Sequence, residues 1–204
     1  MTALPNRDRR AERREATRLE ILDAAWQIAR RDGLAAVTLR EVGAIVGMRP
    51  PSLYSHFDSK NAIYDGMFAQ AWNAAGVVLA EVTADPKQPR RTLLRGAEAF
   101  FDFSVADVAR YQLMNQAVLP AFTPSAEAYA ESERTFGVMV AFMREVGVRA
   151  AADLDLWTAF VAGAINQQLA NDPGGTRWRR QLPRIVDVYA DEVGLPGPKL
   201  RRIR

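Results

Sequence analysis

Residues 37–67 read VTLREVGAIVGMRPPSLYSHFDSKNAIYDGM and contain two short amphipathic segments that meet at a glycine and two prolines. Thr38 stands before the first segment and Glu41 follows three residues later, which is typical of a capping box at the start of a helix. Gly47 predicts the end of that helix, because glycine readily takes the left-handed conformation of a helix terminus. Pro50 begins the second segment, and proline is tolerated in the first turn of a helix but not in its interior. The stretch therefore predicts two short helices joined by a tight turn.

Two short helices joined by a tight turn that contains glycine form a helix-turn-helix. The second helix of such a motif enters the major groove of DNA with its N-terminal residues toward the base edges. Leu53 and Phe57 are four residues apart and are expected to face the core, which leaves the polar residues around them on outer faces. Hydrogen-bonding side chains are what base edges and phosphates require. We therefore predict a DNA-binding set that consists of Thr38, Arg40, Arg49, Pro50, Ser52, Tyr54, Ser55, His56 and Lys60.

Helical spacing of apolar residues also dominates the rest of the chain, and alternating runs typical of strands are almost absent. The sequence predicts an all-α fold of about nine helices, with an N-terminal three-helix helix-turn-helix domain joined to a C-terminal helical domain. One long helix is expected over residues 60–82, and Pro183 is expected to kink a last helix over residues 177–193. The expected bounds are residues 1–14 for a basic N-terminal arm, 15–60 for the helix-turn-helix domain, 61–194 for the C-terminal domain and 195–204 for a tail.

The composition narrows the class of protein. Of the 204 residues, 49% are hydrophobic and 25% are charged, which is an ordinary globular mixture. The chain has no cysteine, which excludes structural disulfides, thiolate zinc sites and cysteine nucleophiles. No run approaches the roughly 18 apolar residues of a membrane span, and the N-terminus lacks the apolar core of a signal peptide. These features predict a cytoplasmic protein with no membrane partner.

The positive charge is concentrated in the first third of the chain. The net charge is +3, and residues 1–60 hold eleven Lys and Arg against eight Asp and Glu, so the remaining residues are neutral overall. A basic head on a neutral body favours a polyanionic partner for the head alone. The arginine cluster Arg7, Arg9, Arg10, Arg13 and Arg14 could be a solvated tail or an arm that reaches phosphates or a minor groove. The terminal KLRRIR is expected to be a solvated end.

The combined pattern resembles the DNA-binding head of the TetR family of bacterial one-component regulators. The matching elements are the threonine before the second helix, VG, LYSHF and the SK that opens the fourth helix, and the likeness extends over residues 15–68. The resemblance implies a homodimer, an effector cavity in the C-terminal domain and, usually, repression. It also implies that Tyr54 and His56 contact the DNA backbone. One departure is MRPP, which stands where relatives often have a small hydroxyl residue followed by lysine or glycine, so no base preference is carried over.

The chain carries no arrangement typical of an enzyme. Its single histidine, His56, would be a surface or core residue in an arbitrary sequence, and it lacks the further histidine or cysteine that a transition-metal site needs. No acid pair, nucleophile–base pair, glycine-rich phosphate loop or metal cluster is present, so we predict neither catalysis nor a cofactor. The alternatives to a ligand-responsive repressor are an acid/base enzyme built on the helical body, a transcriptional activator and a non-specific DNA-binding protein.

Aromatic residues of the C-terminal domain suggest an effector cavity. Phe100 and Phe103 share a helix face that Phe101 does not, and a helix with two apolar faces can pack on one side and line a cavity with the other. Core packing is the alternative reading for each aromatic residue. The candidate effector-binding residues are Phe100, Phe103, Tyr111, Met114, Asn115, Trp157 and Phe160. Because few charged residues fall on the inward faces, the expected effector is small and largely apolar.

Small residues mark a possible contact between two copies of the chain. Several lie along one side of a helix expected over residues 153–170, where they would permit the close approach of another helix. Together with the helix at 177–193 it could form a four-helix interface in a dimer, and internal packing is the alternative. The predicted interface residues are Ala159, Ala162, Gly163, Asn166, Ile185 and Tyr189. The predicted partners are thus operator DNA, a small-molecule effector and a second copy of the chain.

Overall fold

The structure is a computed structural model that describes residues 9–200, apart from the side chain of Pro50. The described residues form nine α-helices and no strand, which confirms the predicted all-α fold. The helices are α1 (Arg9–Asp32), α2 (Leu39–Val46), α3 (Pro50–Tyr54), α4 (Lys60–Ala80), α5 (Pro89–Val105), α6 (Val108–Asn115), α7 (Ala126–Glu145), α8 (Ala151–Asn171) and α9 (Leu182–Glu192). Two 3-10 turns, Leu34–Ala36 and Arg179–Gln181, precede α2 and α9. None of these helices is long and apolar enough to cross a membrane.

Helix α1 begins earlier than the sequence predicted, because residues 9–14 of the expected basic arm are helical. This run consists of alanine, glutamate and arginine, which are good helix formers, so it extends the helix that carries the buried residues Ile21 and Ile28. The arm is therefore the first part of α1 wherever the structure describes it. Arg7, and the end of the expected tail at residues 201–204, lie outside the described residues.

The turn between α2 and α3 has the geometry that its sequence predicts. Thr38 Oγ1 accepts the Glu41 N–H at 3.2 Å, which is the predicted N-cap, and the Thr38 hydroxyl donates to Glu41 Oε2 at 3.1 Å, where a capping box would have the Thr38 backbone N–H as donor. Gly47 ends α2 with a φ of 68°. A Cβ on Gly43 would lie 2.6 Å from the carbonyl oxygen of Met48, so only glycine fits there without a shift of the backbone. This close approach allows α3 to pack against α2.

Helix α4 belongs to two parts of the molecule. Its first half contributes Tyr64 and Met67 to the buried cluster that contains the apolar residues of α1, α2 and α3. Farther along, Gly76 lies against α7, where a Cβ would be 2.9 Å from Thr135 Oγ1. The helix ends at Ala80, slightly before the predicted end at residue 82. The helix-turn-helix domain (the head) and the C-terminal domain (the body) therefore share α4, and the buried core of the head continues past residue 60.

A second buried cluster is formed chiefly by α5, α8 and α9. The buried Arg90 of α5 holds α9 in place, since its Nη2 donates to Asp191 Oδ1 at 2.7 Å and to the Leu195 carbonyl at 3.0 Å. Its Nη1 lies 3.3 Å from Asp187 Oδ1. The predicted kink at Pro183 is wrong, because this proline stands in the first turn of α9, where its missing N–H leaves no helical bond unmade.

Candidate nucleic-acid interface and ligand cavity

The predicted DNA-binding residues lie on or beside α2 and α3, and most of their side chains are exposed. Tyr54 is 50% exposed, so its ring and hydroxyl are open to a ligand. Arg49 precedes the first turn of α3 and makes no side-chain capping bond, so its guanidinium is available to a ligand. The exposed members of the set are Thr38, Arg40, Arg49, Ser52, Tyr54 and Ser55, whereas His56 and Lys60 are half-buried. The side chain of Pro50 lies outside the described part of the structure.

Two arginines of α1 hold the segment that follows α3. Arg14 Nη2 donates to the carbonyl oxygen of Ser55 at 3.1 Å. Arg18 Nη1 donates to the carbonyl oxygen of His56, and its guanidinium lies 4.2 Å from the centre of the Phe57 ring. These contacts position the backbone of the segment whose side chains are predicted to contact DNA. The sequence interpretation missed this role, although the spacing of four residues places Arg14 and Arg18 in line with the buried face of α1.

His56 and Lys60 have different surroundings. The Nδ1 atom of His56 is buried and has no hydrogen-bond partner. Lys60 Nζ donates to the carbonyl oxygen of Ala35 at 3.3 Å and lies 5.2 Å from the centre of the Tyr64 ring. The lysine also stands at the first position of α4, where backbone N–H groups lack helical partners and favour an anion. This end of α4 can therefore hold a phosphate if the lysine leaves the Ala35 carbonyl.

A cavity of about 140 Å³ lies between α4, α5, α6, α7 and α8. Four of the seven predicted effector-binding residues line it, namely Phe100, Tyr111, Asn115 and Trp157. None of the lining residues is charged. Burial raises the pKa of the Tyr111 hydroxyl, and a hydrogen bond with the Asn166 side chain opposes this shift only in part. The site thus offers an apolar space with a few polar groups at its edge.

The other three predicted effector residues lie elsewhere. Phe103 packs under the guanidinium of Arg110, whose central carbon is 3.6 Å from the ring centre, so the aromatic face is already covered. Met114 is buried in the cluster formed by the head and α4. Phe160 lines a different space, between α8 and α9. Phe100 and Phe103 share a helix face, so the sequence could not show that only Phe100 lines the cavity. The position of α6, which carries Arg110, decides this.

The sequence interpretation also missed lining residues on α4 and α7. Apolar residues of α4 and α7 are spread around the helices, so periodicity does not show which face borders a cavity. The missed residues include Trp72, Thr135, Phe136, Val138, Met139 and Phe142. Phe136 is 48% exposed and therefore stands at the mouth of the cavity.

A groove of about 690 Å³ runs between α8 and α9. Four predicted interface residues line it, namely Ala159, Gly163, Asn166 and Ile185. A Cβ on Gly163 would meet no atom within 4 Å, so this surface is open in the single chain. Ala162 instead borders the cavity.

The placement of Tyr189 in the interface is wrong. Its side chain is fully buried, and its hydroxyl donates to the carbonyl oxygen of Asp153 at 3.0 Å. The ring centres of Tyr189 and Trp157 are 5.0 Å apart, so the residue joins α9 to α8 within the chain. Burial raises the pKa of this hydroxyl.

Comparison with known proteins connects the head to one family. Residues 21–67 match the family model described as "Bacterial regulatory proteins, tetR family". The chain is 29% identical over 150 residues to the transcriptional repressor KstR2 of Rhodococcus jostii, a match that covers 71% of this chain and 74% of that repressor. It is also 33% identical over 141 residues to a glucosamine kinase of Streptacidiphilus jiangxiensis, but these residues cover 66% of this chain and only 29% of the kinase.

Solved structures share the fold over most of the chain. The regulatory protein SCO4313 superimposes with a TM-score of 0.73 at 19% identity, over 89% of this chain and 98% of that one. The transcriptional regulator FadR from Bacillus subtilis, solved in complex with stearoyl-CoA, superimposes with a TM-score of 0.61 at 12% identity. That match covers 84% of this chain and 96% of FadR. At these identities the structures show a common fold and nothing finer.

Proposed function

Because the chain belongs to the TetR family of bacterial regulatory proteins, we propose that it is a repressor that binds a palindromic operator as a homodimer and leaves it when a small, largely apolar effector fills the cavity. The chain is a transcriptional regulator with a DNA-binding helix-turn-helix and not an enzyme. The observation that carries the proposal is the course of α4, which begins with Lys60 beside the DNA-binding set and borders the cavity at Trp72 and Leu79. Bacterial DNA lies in the cytoplasm, which is where the protein acts.

Two relatives support the finer parts of this proposal. KstR2 is a transcriptional repressor, so repression is the mode of action that similarity favours here. FadR has the same fold and binds stearoyl-CoA, which supports the view that the helical body of this chain also takes a small molecule. The matched region spans about three quarters of the length of KstR2. We carry over neither the operator nor the effector of that repressor.

Within the operator complex, phosphate contacts and base contacts fall to different residues. Thr38, Tyr54, His56 and Lys60 bind phosphates, because they stand at helix starts or beside the segment that follows α3. Arg49 and Ser52 read base edges, since they lie at the start of the recognition helix and their side chains are exposed. Arg40 and Ser55, also exposed, complete the contact surface.

The effector acts on DNA binding through α4. A ligand in the cavity contacts the second half of this helix and favours one tilt of it. Because the first half packs in the core of the head, the tilt changes the separation of the two recognition helices in a dimer. A coupling free energy of about 1–3 kcal/mol changes operator affinity roughly 5- to 150-fold, which is sufficient for induction.

The dimer forms along the groove between α8 and α9. Gly163 and Ala159 give a second copy close access to α8, and the exposed Val188 and half-buried Ile185 of α9 supply apolar surface that a partner would cover. A two-fold dimer places its recognition helices at half-sites about 34–36 Å apart on one face of the DNA. The operator is therefore expected to be palindromic.

The test is selection of bound sequences from random double-stranded DNA by the purified full-length chain. We expect enrichment of one palindrome, and binding to it that survives an excess of random competitor DNA. Loss of all preference under competition would leave a non-specific DNA-binding protein instead. A transcription reporter that carries the selected operator then separates the two directions of regulation, because a repressor lowers expression and an activator raises it.

A further inference from the structure

The cavity has room for one small ring and offers nothing to a charged group. Its volume of about 140 Å³ is close to the roughly 150 Å³ of an engineered apolar cavity that binds benzene. The lining includes no Asp, Glu, Lys, Arg or His, and Phe100, Met139, Phe142 and Val161 give it an apolar surface. An ion that entered would lose its hydration and gain no oppositely charged partner. Size and charge together therefore favour a neutral, apolar occupant of about the size of one ring.

Most polar side chains of the lining already bind the protein itself. Thr135 Oγ1 donates to the carbonyl oxygen of Trp72 at 2.8 Å. Asn115 Nδ2 donates to the carbonyl oxygen of Tyr111 at 3.3 Å, and Thr158 Oγ1 donates to a carbonyl of its own helix at 2.9 Å. A ligand rich in hydroxyl or carbonyl groups would leave those groups without partners. The ligand therefore carries few polar atoms.

The indole N–H of Trp72 differs from these groups. Its Nε1 is buried and has no hydrogen-bond partner. Four other residues in the described part of the chain have such an atom, namely His56, Arg90, Arg110 and Trp178, and none of them lines the cavity. A buried donor without a partner is unfavourable, so a ligand that brings an acceptor to it gains affinity. Trp72 itself lines the cavity, so a ligand there lies beside this side chain.

We propose that the effector of this chain is a neutral, ring-sized, apolar molecule with one hydrogen-bond acceptor, which the Trp72 indole N–H binds. This inference rests on the proposed function of the cavity. Because Trp72 lies on α4, the bond acts directly on the helix that reaches the DNA-binding set. The proposal excludes acyl-coenzyme A ligands such as the stearoyl-CoA of FadR, since a long acyl chain exceeds a cavity of about 140 Å³ and the lining has no cation for phosphates.

The test measures binding of four probes to the full-length chain by calorimetry and tryptophan fluorescence. Acetophenone carries a ring and one acceptor, ethylbenzene has nearly the same shape without the acceptor, and benzoate and stearoyl-CoA are charged. We expect acetophenone to bind about three- to tenfold more tightly than ethylbenzene, as one hydrogen bond allows. Benzoate and stearoyl-CoA should bind at least about tenfold more weakly than acetophenone.

Two matched variants identify the donor on the protein. Trp72→Phe keeps an aromatic ring in the lining but removes the N–H, so acetophenone and ethylbenzene should bind it equally. Trp157→Phe changes another lining tryptophan, one whose indole nitrogen is not among the buried atoms without a partner, and should weaken both probes alike. If Trp72→Phe fails to fold, the NMR signal of the Trp72 indole N–H in the unaltered chain decides the question, because acetophenone should shift it downfield and ethylbenzene should not.

Several outcomes overturn the inference. Equal binding of acetophenone and ethylbenzene by the unaltered chain, or a preference that persists in Trp72→Phe, removes the role of the indole. Tight binding of benzoate or stearoyl-CoA removes the requirement for a neutral ligand. Operator binding on the same preparations separates this inference from the proposed function. A chain that binds its selected operator but no ring-sized probe contradicts the inference only, whereas a chain with no operator contradicts the proposed function.

Discussion

The Nε atom of Arg30 lies 2.8 Å from Oδ2 of Asp107, so an ion pair joins the last turn of α1 to the start of α6. Asp107 also caps α6, because its other oxygen accepts the N–H of Arg110 at 3.0 Å. Helix α6 carries Tyr111 and Asn115 to the wall of the cavity. One carboxylate thus links the head to the cavity by a route that does not pass through α4.

Removal of the charge on Asp107 should weaken this link and leave α6 intact. Asp107→Asn retains a side chain that caps helices as well as aspartate does. We expect the free energy of unfolding to fall by less than about 1 kcal/mol, and the change in operator affinity caused by a cavity ligand to shrink about two- to fivefold. Asp107→Ala also loses the cap and should cost roughly 1 kcal/mol more. Urea unfolding and operator titrations with and without ligand measure both effects.

Arg31→Ala is the matched control for the ion pair. The guanidinium of Arg31 pairs with Asp32, its neighbour on α1, and does not bridge two helices. This variant should leave the effect of the ligand on operator affinity unchanged. A ligand effect in Asp107→Asn equal to that of the unaltered chain would show that α6 communicates with the head by other contacts.

Lys60 and Arg49 should affect DNA binding in different ways. Lys60→Ala should weaken binding to all sequences and reduce the slope of log affinity against log salt by about one, because one phosphate contact is lost. Arg49→Ala should cost about 1–3 kcal/mol at particular base pairs and leave other positions unaffected. Titrations at several salt concentrations, with the operator and single-base variants of it, measure both. Lys87→Ala, on the loop between α4 and α5, controls for the loss of charge alone. An altered base preference in Lys60→Ala with an unchanged salt slope would refute the assignment.

Gly163→Arg should separate the two copies of the chain. The surface at Gly163 is open in the single chain, so arginine fits the monomer but occupies the space that a second α8 would need. We expect a monomer by sedimentation at micromolar concentration and a loss of operator affinity. Gly137→Arg is the control, because Gly137 is also a helical glycine whose Cβ would meet no atom within 4 Å, but it lies on α7. Dissociation in both variants, or in neither, contradicts the placement of the interface along α8.

Acid should weaken the attachment of α9 through Asp191. Hydrogen bonds from Lys199 and then Arg90 hold the pKa of the Asp191 carboxyl below its ordinary value of 3.8. A carboxyl with a lowered pKa in the folded state stabilises the fold above its unfolded pKa, and the contribution is lost as pH falls through the folded value. Asp191→Asn should therefore be less stable than the unaltered chain at pH 7, and the difference should shrink below pH 3.8. Urea unfolding of both proteins at pH 7 and below pH 3.8 measures this difference in stability. A difference that persists in acid would contradict the prediction.

The helix-turn-helix domain could be predicted in detail because the sequence signals that define its helices are local. The N-cap at Thr38, the glycine at Gly47 and the proline at Pro50 each act on the backbone within one turn, and the structure contains the predicted cap, helix end and helix start. Burial of Leu53 and Phe57 followed from their spacing alone. The error at Pro183 concerned the position of a helix start, because this proline stands in the first turn of α9 and not within a helix that began at residue 177.

The sequence by itself determined the all-helical class, the helix-turn-helix and the polar residues on its surface, because helix caps, turns and periodicity depend on neighbours within a few positions. Only the tertiary structure decided that Phe100 borders the cavity while Phe103 packs under Arg110, and that Tyr189 is buried against Trp157. Periodicity shows that a face is apolar but not which helix covers it. That choice depends on contacts between helices far apart in the chain, and only the packed structure shows that the buried indole N–H of Trp72 has no partner.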